Sequence, residues 1–179
     1  MGDASNIRMG TCKIIYDGVD LGLTIGGVEV TVETTTKEIK VDQFGDTVAS
    51  EYIMGRQIMV KVPMAETTVE NMNSIMPGSV LTGPEGASKV EVRSGVNTNL
   101  LDAAKVLILR PVEKVDEDTP DGSNDDKSED LTVWKAATPG AASFAYKYNE
   151  ERILNAEFKG YVDTANNNRI FTYGDPDIT

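Results

Sequence analysis

Apolar and polar residues alternate along the first part of the chain, and two glycine-containing dipeptides divide the alternating stretch. Asp17-Gly18 and Gly26-Gly27 both tolerate the positive φ angles that two-residue hairpin turns require. Two such turns predict a β-meander with strands at about 12–16, 19–25 and 28–33. The turns would bring apolar residues together on one face: Tyr16 with Val19, Ile14 with Leu21, Ile25 with Val28, Leu23 with Val30 and Leu21 with Val32.

The opposite face of the predicted meander is acidic and rich in threonine. Along the third strand the positions that would face water are Glu29, Thr31 and Glu33. The apolar phase changes after this strand, because Ile39 and Val41 occupy odd positions whereas the preceding valines occupy even ones. A bulge or bend near residues 34–36 would produce that change, so the face of every later side chain stays open.

A non-periodic stretch at 44–55 predicts a long loop, and alternation returns at 57–62. Thr67 and Glu70 form a capping box before apolar residues at helical spacing, and Pro77-Gly78 ends the pattern. The spacing predicts one short α-helix, at 67–76, covering one face of the sheet.

The remaining chain reads as short strands and turns. Alternating or continuous apolar runs predict strands at about 89–93, 106–109, 131–136, 143–148, 154–162 and 169–173. About ten short strands and one helix predict an all-β fold, an antiparallel sandwich or barrel. A length of 179 residues predicts a single domain over 1–179.

The composition excludes whole classes of function. The chain contains no histidine, which removes Ser-His-Asp and Cys-His nucleophiles and the usual zinc sites. Cys12 is the only cysteine, so a disulfide within the chain is excluded and a buried structural thiol is expected. No paired-acid motif supports carboxylate catalysis. We therefore predict no enzymatic activity, no cofactor and no metal site.

The net charge of −12 argues against binding nucleic acid through its phosphates. More than half of that charge lies at 113–130, where nine acids stand against two lysines and give a local charge of −7. The composition predicts a solvated surface insertion. A calcium loop does not fit, because Pro120 occupies the position of its third acid. The sole tryptophan, Trp134, is expected to pack in the core or at an interface.

Residues 18–30 read Gly-Val-Asp-Leu-Gly-Leu-Thr-Ile-Gly-Gly-Val-Glu-Val. This stretch resembles the major tail tube proteins of long-tailed, non-contractile bacteriophages. In that family a strand ending Leu-Gly-x-Thr, followed by a Gly-Gly-Val step, opens the first long strand of the tube's inner sheet. The likeness continues through the loop at 44–55, the strand at 57–64 and the helix at 67–76. The acidic insertion at 113–130 matches no pattern of that family.

The resemblance implies a domain of the tail tube type that forms six-subunit rings, whose sheets join into a continuous inner β-barrel. Stacked rings would form a hollow helical tube that conducts phage DNA into the host. Family members stack through the long loop and through terminal arms, here 1–10 and 172–179. The loop residues implied are Phe44, Asp46, Val48, Glu51 and Tyr52, and the acidic lumen wall would carry Glu29, Thr31 and Glu33.

The implied partners are further copies of the chain, a tape measure protein inside the lumen before ejection, and tail tip and tail terminator proteins. DNA would pass without specific binding, no membrane would be involved, and the protein would reside in the virion tail after assembly in the host cytoplasm. The alternative is a surface or secreted β-sandwich that binds a ligand through its loops, with 113–130 as a weak calcium site. Neither a leader before Asn6 nor an aromatic cluster supports it.

Overall fold

Eleven strands and one short α-helix make up the described part of this computed structural model, which covers residues 10–84, 86–116, 125–140, 142–143, 146, 148–149 and 151–178. In chain order the elements are β1 (Cys12–Tyr16), β2 (Val19–Asp20), β3 (Glu29–Lys40), β4 (Val48–Met64), α1 (Val69–Ile75), β5 (Val80–Thr82), β6 (Lys89–Glu91), β7 (Lys105–Pro111), β8 (Leu131–Ala137), β9 (Ala142–Ser143), β10 (Leu154–Gly160) and β11 (Phe171–Tyr173).

Nine strands form one antiparallel sheet in the order β2-β1-β7-β8-β10-β4-β3, with β11 beside β8 and β9 beside β10. Strands β5 and β6 form a separate antiparallel pair. The prediction of an all-β, antiparallel fold with one short helix is confirmed. Of the strand predicted at 143–148, Ser143 lies in β9, and residues 144, 145 and 147 lie outside the described residues; β5 was not predicted.

The first predicted hairpin is confirmed. Asp17 and Gly18 have φ angles of 53° and 80°, and the strands they join pair Tyr16 with Val19. Beyond the two short strands, the Leu21 N–H donates to the Ile14 carbonyl oxygen at 2.9 Å. A primed turn at Asp17-Gly18 therefore sets this register, as the sequence predicts.

The second predicted hairpin, at Gly26-Gly27, is wrong. Both glycines have positive φ, but the chain does not reverse there. Thr24 pairs with Met64 and Glu29 pairs with Lys61, and both partners belong to β4. The five residue steps from Thr24 to Glu29 therefore face only three steps of β4. The two glycines therefore form a bulge within one extended run along β4.

Strand β3 consequently pairs with β4 and not with the segment at 19–25. Val30 lies opposite Val60, and Val32 lies opposite Ile58. The predicted bulge near residues 34–36 is confirmed, because the register shifts between Thr35 and Thr36. The extra residue lies on the partner strand, where Met54 is unpaired between residues 53 and 55, so the alternation within β3 continues.

The sheet curls over a single core. Tyr16 on β1 and Phe158 on β10 are three strands apart, which is about 14 Å in a flat sheet with strands ~4.8 Å apart. Their ring centroids are nevertheless only 4.9 Å apart. The fully buried side chains come from both halves of the sheet and from the helix: Ile14, Leu21, Ile58, Val60, Val62, Met64, Ile75, Leu107, Leu154 and Phe158.

Two details make the close packing possible. A Cβ atom on Gly160 would lie 2.3 Å from the Ile58 Cγ2, so only glycine permits this approach of β10 to the core. The buried Tyr16 hydroxyl donates to the Ala136 carbonyl oxygen at 3.2 Å. Burial, together with the nearby charge of Asp17, raises the pKa of Tyr16 to about 12.

Helix α1 begins one residue later than the capping box predicts. Thr68 is the N-cap, and its hydroxyl accepts from the Asn71 N–H at 3.1 Å. The Thr67 hydroxyl instead accepts from the Arg152 guanidinium. The buried Asn71 side chain donates to the Leu21 carbonyl oxygen at 3.0 Å, which fastens the helix to the chain after β2.

Candidate interaction surface

The β3–β4 hairpin projects beyond the body as an arm, defined here as residues 33–57. Every residue of the arm except Val41 is exposed, whereas burial begins at Ile58 on β4. The two strands stay paired over the full length, from Glu33 opposite Gln57 to Lys40 opposite Val48. The body's core therefore covers only the base of this hairpin.

The connection at the tip of the arm is shorter than the loop predicted at 44–55. A 3-10 turn at Asp42–Phe44 and a turn at Gly45–Asp46 reverse the chain, and β4 begins at Val48. Of the predicted loop residues, Phe44 and Asp46 lie in the tip turn, whereas Val48, Glu51 and Tyr52 lie within β4. The structure thus places all five on the arm, two at its end and three along its side.

The arm exposes six large apolar side chains. Their exposed fractions range from 40% for Ile39 to 64% for Met54. The exposed apolar residues of the arm are Ile39, Phe44, Val48, Tyr52, Ile53 and Met54. A hairpin that exposes six large apolar side chains is a candidate site of protein–protein contact.

Both edges of the arm lack strand partners within the described part of the chain. Strand β3 is the last strand of the sheet, so the outer edge of its 12 residues is unpaired. Strand β10 pairs only with Met59–Met64, so β4 from Val48 to Ile58 has an unpaired outer edge as well. Sequence reasoning missed this second edge, because it took residues 48–55 for a loop.

The face of β3 that was predicted to face water, called the wet face below, is less acidic than the sequence of β3 alone indicates. Glu29, Thr31 and Glu33 lie opposite Lys61, Met59 and Gln57 of β4. The Lys61 Nζ lies 3.2 Å from a Glu29 carboxylate oxygen, and Glu157 of β10 lies opposite Lys61 on its other side. A Glu-Lys-Glu row therefore crosses three strands, and Glu33 is the acid without a lysine opposite it.

The acidic insertion at 113–130 is not wholly solvated, which corrects the prediction. Residues 117–124 lie outside the described part, but Asp125 and Asp130 are buried against the equally buried Arg110 of β7. The Arg110 Nε and Nη2 donate to Asp130 at 2.9 and 2.7 Å, and Nη1 donates to Asp125. The Asp116 N–H donates to Asp125 at 2.7 Å.

These contacts determine the protonation of the cluster. Burial alone would raise the pKa of Asp125, but the hydrogen bonds from the Asp116 N–H and the Arg110 guanidinium outweigh it and lower that pKa. The hydrogen bond to Asp130 raises the pKa of Arg110. Arg110 follows the buried run 106–109, and a charge at that place was the available sequence signal that a carboxylate partner lies nearby.

The alternative function needs free carboxylates in this insertion to hold calcium. Asp125 and Asp130 are both occupied by Arg110. Exposed Asp126 contacts Lys114 at 2.6 Å, and this hydrogen bond lowers the pKa of Asp126. In the described ranges, no three Cys, Asp or Glu side chains are grouped so that they could hold a metal ion.

The predicted terminal arms are described only in part. Residues 1–9 and Thr179 lie outside the described residues. The C-terminal segment packs on the body: β11 pairs with β8, the Gly174 N–H donates to the Asp130 carbonyl oxygen at 2.8 Å, and Lys127 contacts Asp177 at 2.7 Å. The half-buried Cys12 thiol packs against the core, and burial raises its pKa.

Trp134 has a packing role, at the outer face of β8. The Arg169 guanidinium lies 3.4 Å from the centroid of its ring, and the indole N–H donates to the Thr172 hydroxyl at 2.8 Å. Arg169 in turn donates to the buried Asp163 carboxylate at 3.1 Å. These contacts fasten the turn at 163–169 to β8.

No helix in the described part of the chain is long and apolar enough to cross a membrane. No protein-family model matches the chain, and no curated protein matches it in sequence.

Proposed function

We propose that this protein is the structural subunit of a bacteriophage tail tube, which polymerises as stacked hexameric rings around a channel for phage DNA. The projecting arm is the observation that carries the proposal. It combines a length of 25 residues, 33–57, with exposure of all of them but one. The order of strands and helix that resembles the tail tube family adds independent support.

The stability of the arm argues for contacts with other chains. An isolated two-stranded hairpin is at best marginally stable in water, because it buries little apolar surface. The arm exposes Phe44, Tyr52, Ile53 and Met54 by 57–64% each. Docking these side chains against other subunits would remove them from water and hold the ribbon in one conformation.

The two unpaired edges favour a ring. Exposed strand edges are templates for pairing with another chain, and proteins that stay monomeric normally block them. The β3 edge and the β4 edge differ in sequence, so pairing one with the other joins subunits head to tail. Such a heterologous contact closes into a ring when the rotation fits, and it would join the arms into a continuous barrel.

The wet face of β3 suits a channel wall. Glu29, Thr31 and Glu33 lie on the side of the sheet opposite Val60 and the core. At physiological salt the screening length is about 8 Å, so these carboxylates would repel DNA only near contact. The Glu29–Lys61 pair lowers the charge of this wall further, which favours a surface that neither holds nor strongly repels a passing polyanion.

The other partners follow from the proposed assembly. A tape measure protein would fill the channel before ejection, and tail tip and tail terminator proteins would begin and end the tube. The net charge of −12 accords with DNA that passes without specific binding.

Electron microscopy of purified, concentrated protein tests the proposal. We expect regular tubes with a six-fold end view. The matched variant replaces 37–52 by Asn-Gly, a two-residue turn that joins the register partners Thr36 and Ile53 without touching the core. It should fold and remain unassembled. Wild-type protein that stays monomeric at every concentration, even when seeded with tail tip components, would refute the proposal.

A further inference from the structure

The end of the acidic insertion, defined here as the limb (residues 125–130), is fixed to the body. Its first and last side chains, Asp125 and Asp130, are both held by the buried Arg110. A turn within the limb brings the Asp130 N–H to the Lys127 carbonyl oxygen at 3.1 Å. Contacts with the body and within the limb therefore set its shape.

The last residues of the chain, defined here as the tail (residues 174–178), lie against this limb. The Gly174 N–H donates to the Asp130 carbonyl oxygen at 2.8 Å. Farther along, the Lys127 Nζ donates to an Asp177 carboxylate oxygen at 2.7 Å. These two contacts hold the tail near both of its ends.

Lys127 is the one basic residue of the limb and the tail together. The hydrogen bond to Asp177 raises the pKa of Lys127, and the charge of Asp175 raises it further. Like charges would otherwise keep the two segments apart, because together they carry six acids: Asp125, Asp126, Glu129, Asp130, Asp175 and Asp177. Arg110 pairs with two of these acids, whereas Lys127 is the cation at the contact itself. The charge of Lys127 therefore decides whether the tail stays on the limb.

We infer that the limb is a latch, which holds the tail on its own subunit and withholds it from other chains, with Lys127 as the contact that closes it. The insertion matches no pattern of the tail tube family, so the latch is a feature of this chain. The latch itself belongs to the free subunit, whereas its effect on assembly rests on the proposed function.

The strength of the closing contact suits a latch that opens. The Lys127 and Asp177 side chains are 36% and 71% exposed, and ion pairs as exposed as this one are weak. A chain that binds the tail can therefore displace the limb. An open tail offers apolar surface for such binding, because Ile178 is 78% exposed and Tyr173, just before the tail, is 70% exposed.

Lys127→Glu tests the latch in unassembled protein. Amide hydrogen exchange of Gly174, whose N–H bonds to the limb, should become about two- to fivefold faster, the effect of losing an exposed ion pair. The control is Lys89→Glu, which makes the same change of charge at an exposed pair on β6, 2.9 Å from Glu91. It should leave the exchange of Gly174 unchanged. Nuclear magnetic resonance measures the exchange, with the Leu21 amide in the body as the internal reference.

A charge exchange separates electrostatic closure from packing of the lysine side chain. Adding Asp177→Lys to Lys127→Glu restores an ion pair of reversed sign, so the exchange of Gly174 should return to the wild-type rate. Unchanged exchange in folded Lys127→Glu would overturn the latch. A double variant that shows no recovery would overturn it as well.

Sedimentation gives the protein concentration at which tubes first form. For Lys127→Glu this concentration should fall about two- to fivefold below that of Lys89→Glu, because the open tail is more populated by that factor. An unchanged or higher concentration, in a variant whose Gly174 exchange is faster, would overturn the withholding of the tail. Failure of wild-type protein to form any tube would instead refute the proposed function, and the exchange measurement would still decide the latch.

Discussion

The body and the arm of this protein are built from the same strand but are stabilised in opposite ways. On β4, Ile58, Val60 and Val62 are buried, whereas all ten residues from Val48 to Gln57 are exposed. The body closes its sheet around a core drawn from both halves of the sheet. The arm has backbone pairing but no core, and an isolated two-stranded hairpin is at best marginally stable in water. The body is therefore stabilised by its own core, whereas the arm is not.

The largest difference in unfolding free energy is expected between substitutions of two phenylalanines, one in the core and one on the arm. Phe158→Ala in the core should cost about 3–5 kcal/mol of unfolding free energy, because a fully buried ring is lost. Phe44→Ala on the arm should cost no more than about 0.5 kcal/mol. Urea denaturation of unassembled protein, followed by Trp134 fluorescence, measures both. Equal costs would mean that the arm is part of the cooperative body.

A second pair of variants compares the buried charge cluster with a charge pair on the arm. Arg110→Met leaves two buried carboxylates without their cation and should cost about 3–5 kcal/mol. Lys40→Met breaks the exposed contact with Asp46, 3.9 Å long, and should cost less than about 1 kcal/mol. Denaturation curves for both variants give the two values.

A triple variant serves as the control for this comparison. Adding Asp125→Asn and Asp130→Asn to Arg110→Met removes the uncompensated charges and should restore part of the lost stability. A triple variant no more stable than Arg110→Met alone would show that packing, and not charge, carries the effect.

The smallest effect on stability is expected from the titration of Asp125 at acid pH. The pKa of Asp125 lies below its ordinary value of 3.8, so its ionised form stabilises the fold fully above about pH 5. That contribution is lost as the pH falls through the lowered pKa. The stability gap between wild type and Asp125→Asn should therefore narrow between about pH 5 and pH 2, measured by thermal unfolding. A constant gap for Asp125→Asn would contradict the prediction.

Local sequence predicted those parts of the fold that local chemistry decides. Asp17-Gly18 formed the expected turn, because a tight primed turn needs nothing beyond two residues that tolerate positive φ. Gly26-Gly27 offered the same tolerance but formed a bulge. The alternating valines of β3 can pair with either neighbour, and in the structure they pair with Val60 and Ile58, some 30 residues away.

The helix start and the acidic insertion show the same limit. Thr67 and Thr68 are equally good caps by sequence, and Arg152, 85 residues distant, occupies the first and leaves the second for the helix. Composition placed Asp125 and Asp130 in water, because Arg110 after a buried run indicates a carboxylate partner but the sequence does not say which acids supply it. In the candidate surface, the sequence identified the residues of the arm but not their pairing, which made the predicted loop too long.

Because β4 runs without interruption from the arm tip into the core, the arm is also a mechanical link. Force applied along it passes directly to six residue pairs with β10, from Lys159–Met59 to Leu154–Met64, and to the adjoining pairs with β3. Antiparallel hydrogen bonds run perpendicular to the strands, so a pull along the strand axis loads all of them together in shear. Tension on the arm would therefore be resisted by the most deeply buried strands of the protein and not by a flexible joint.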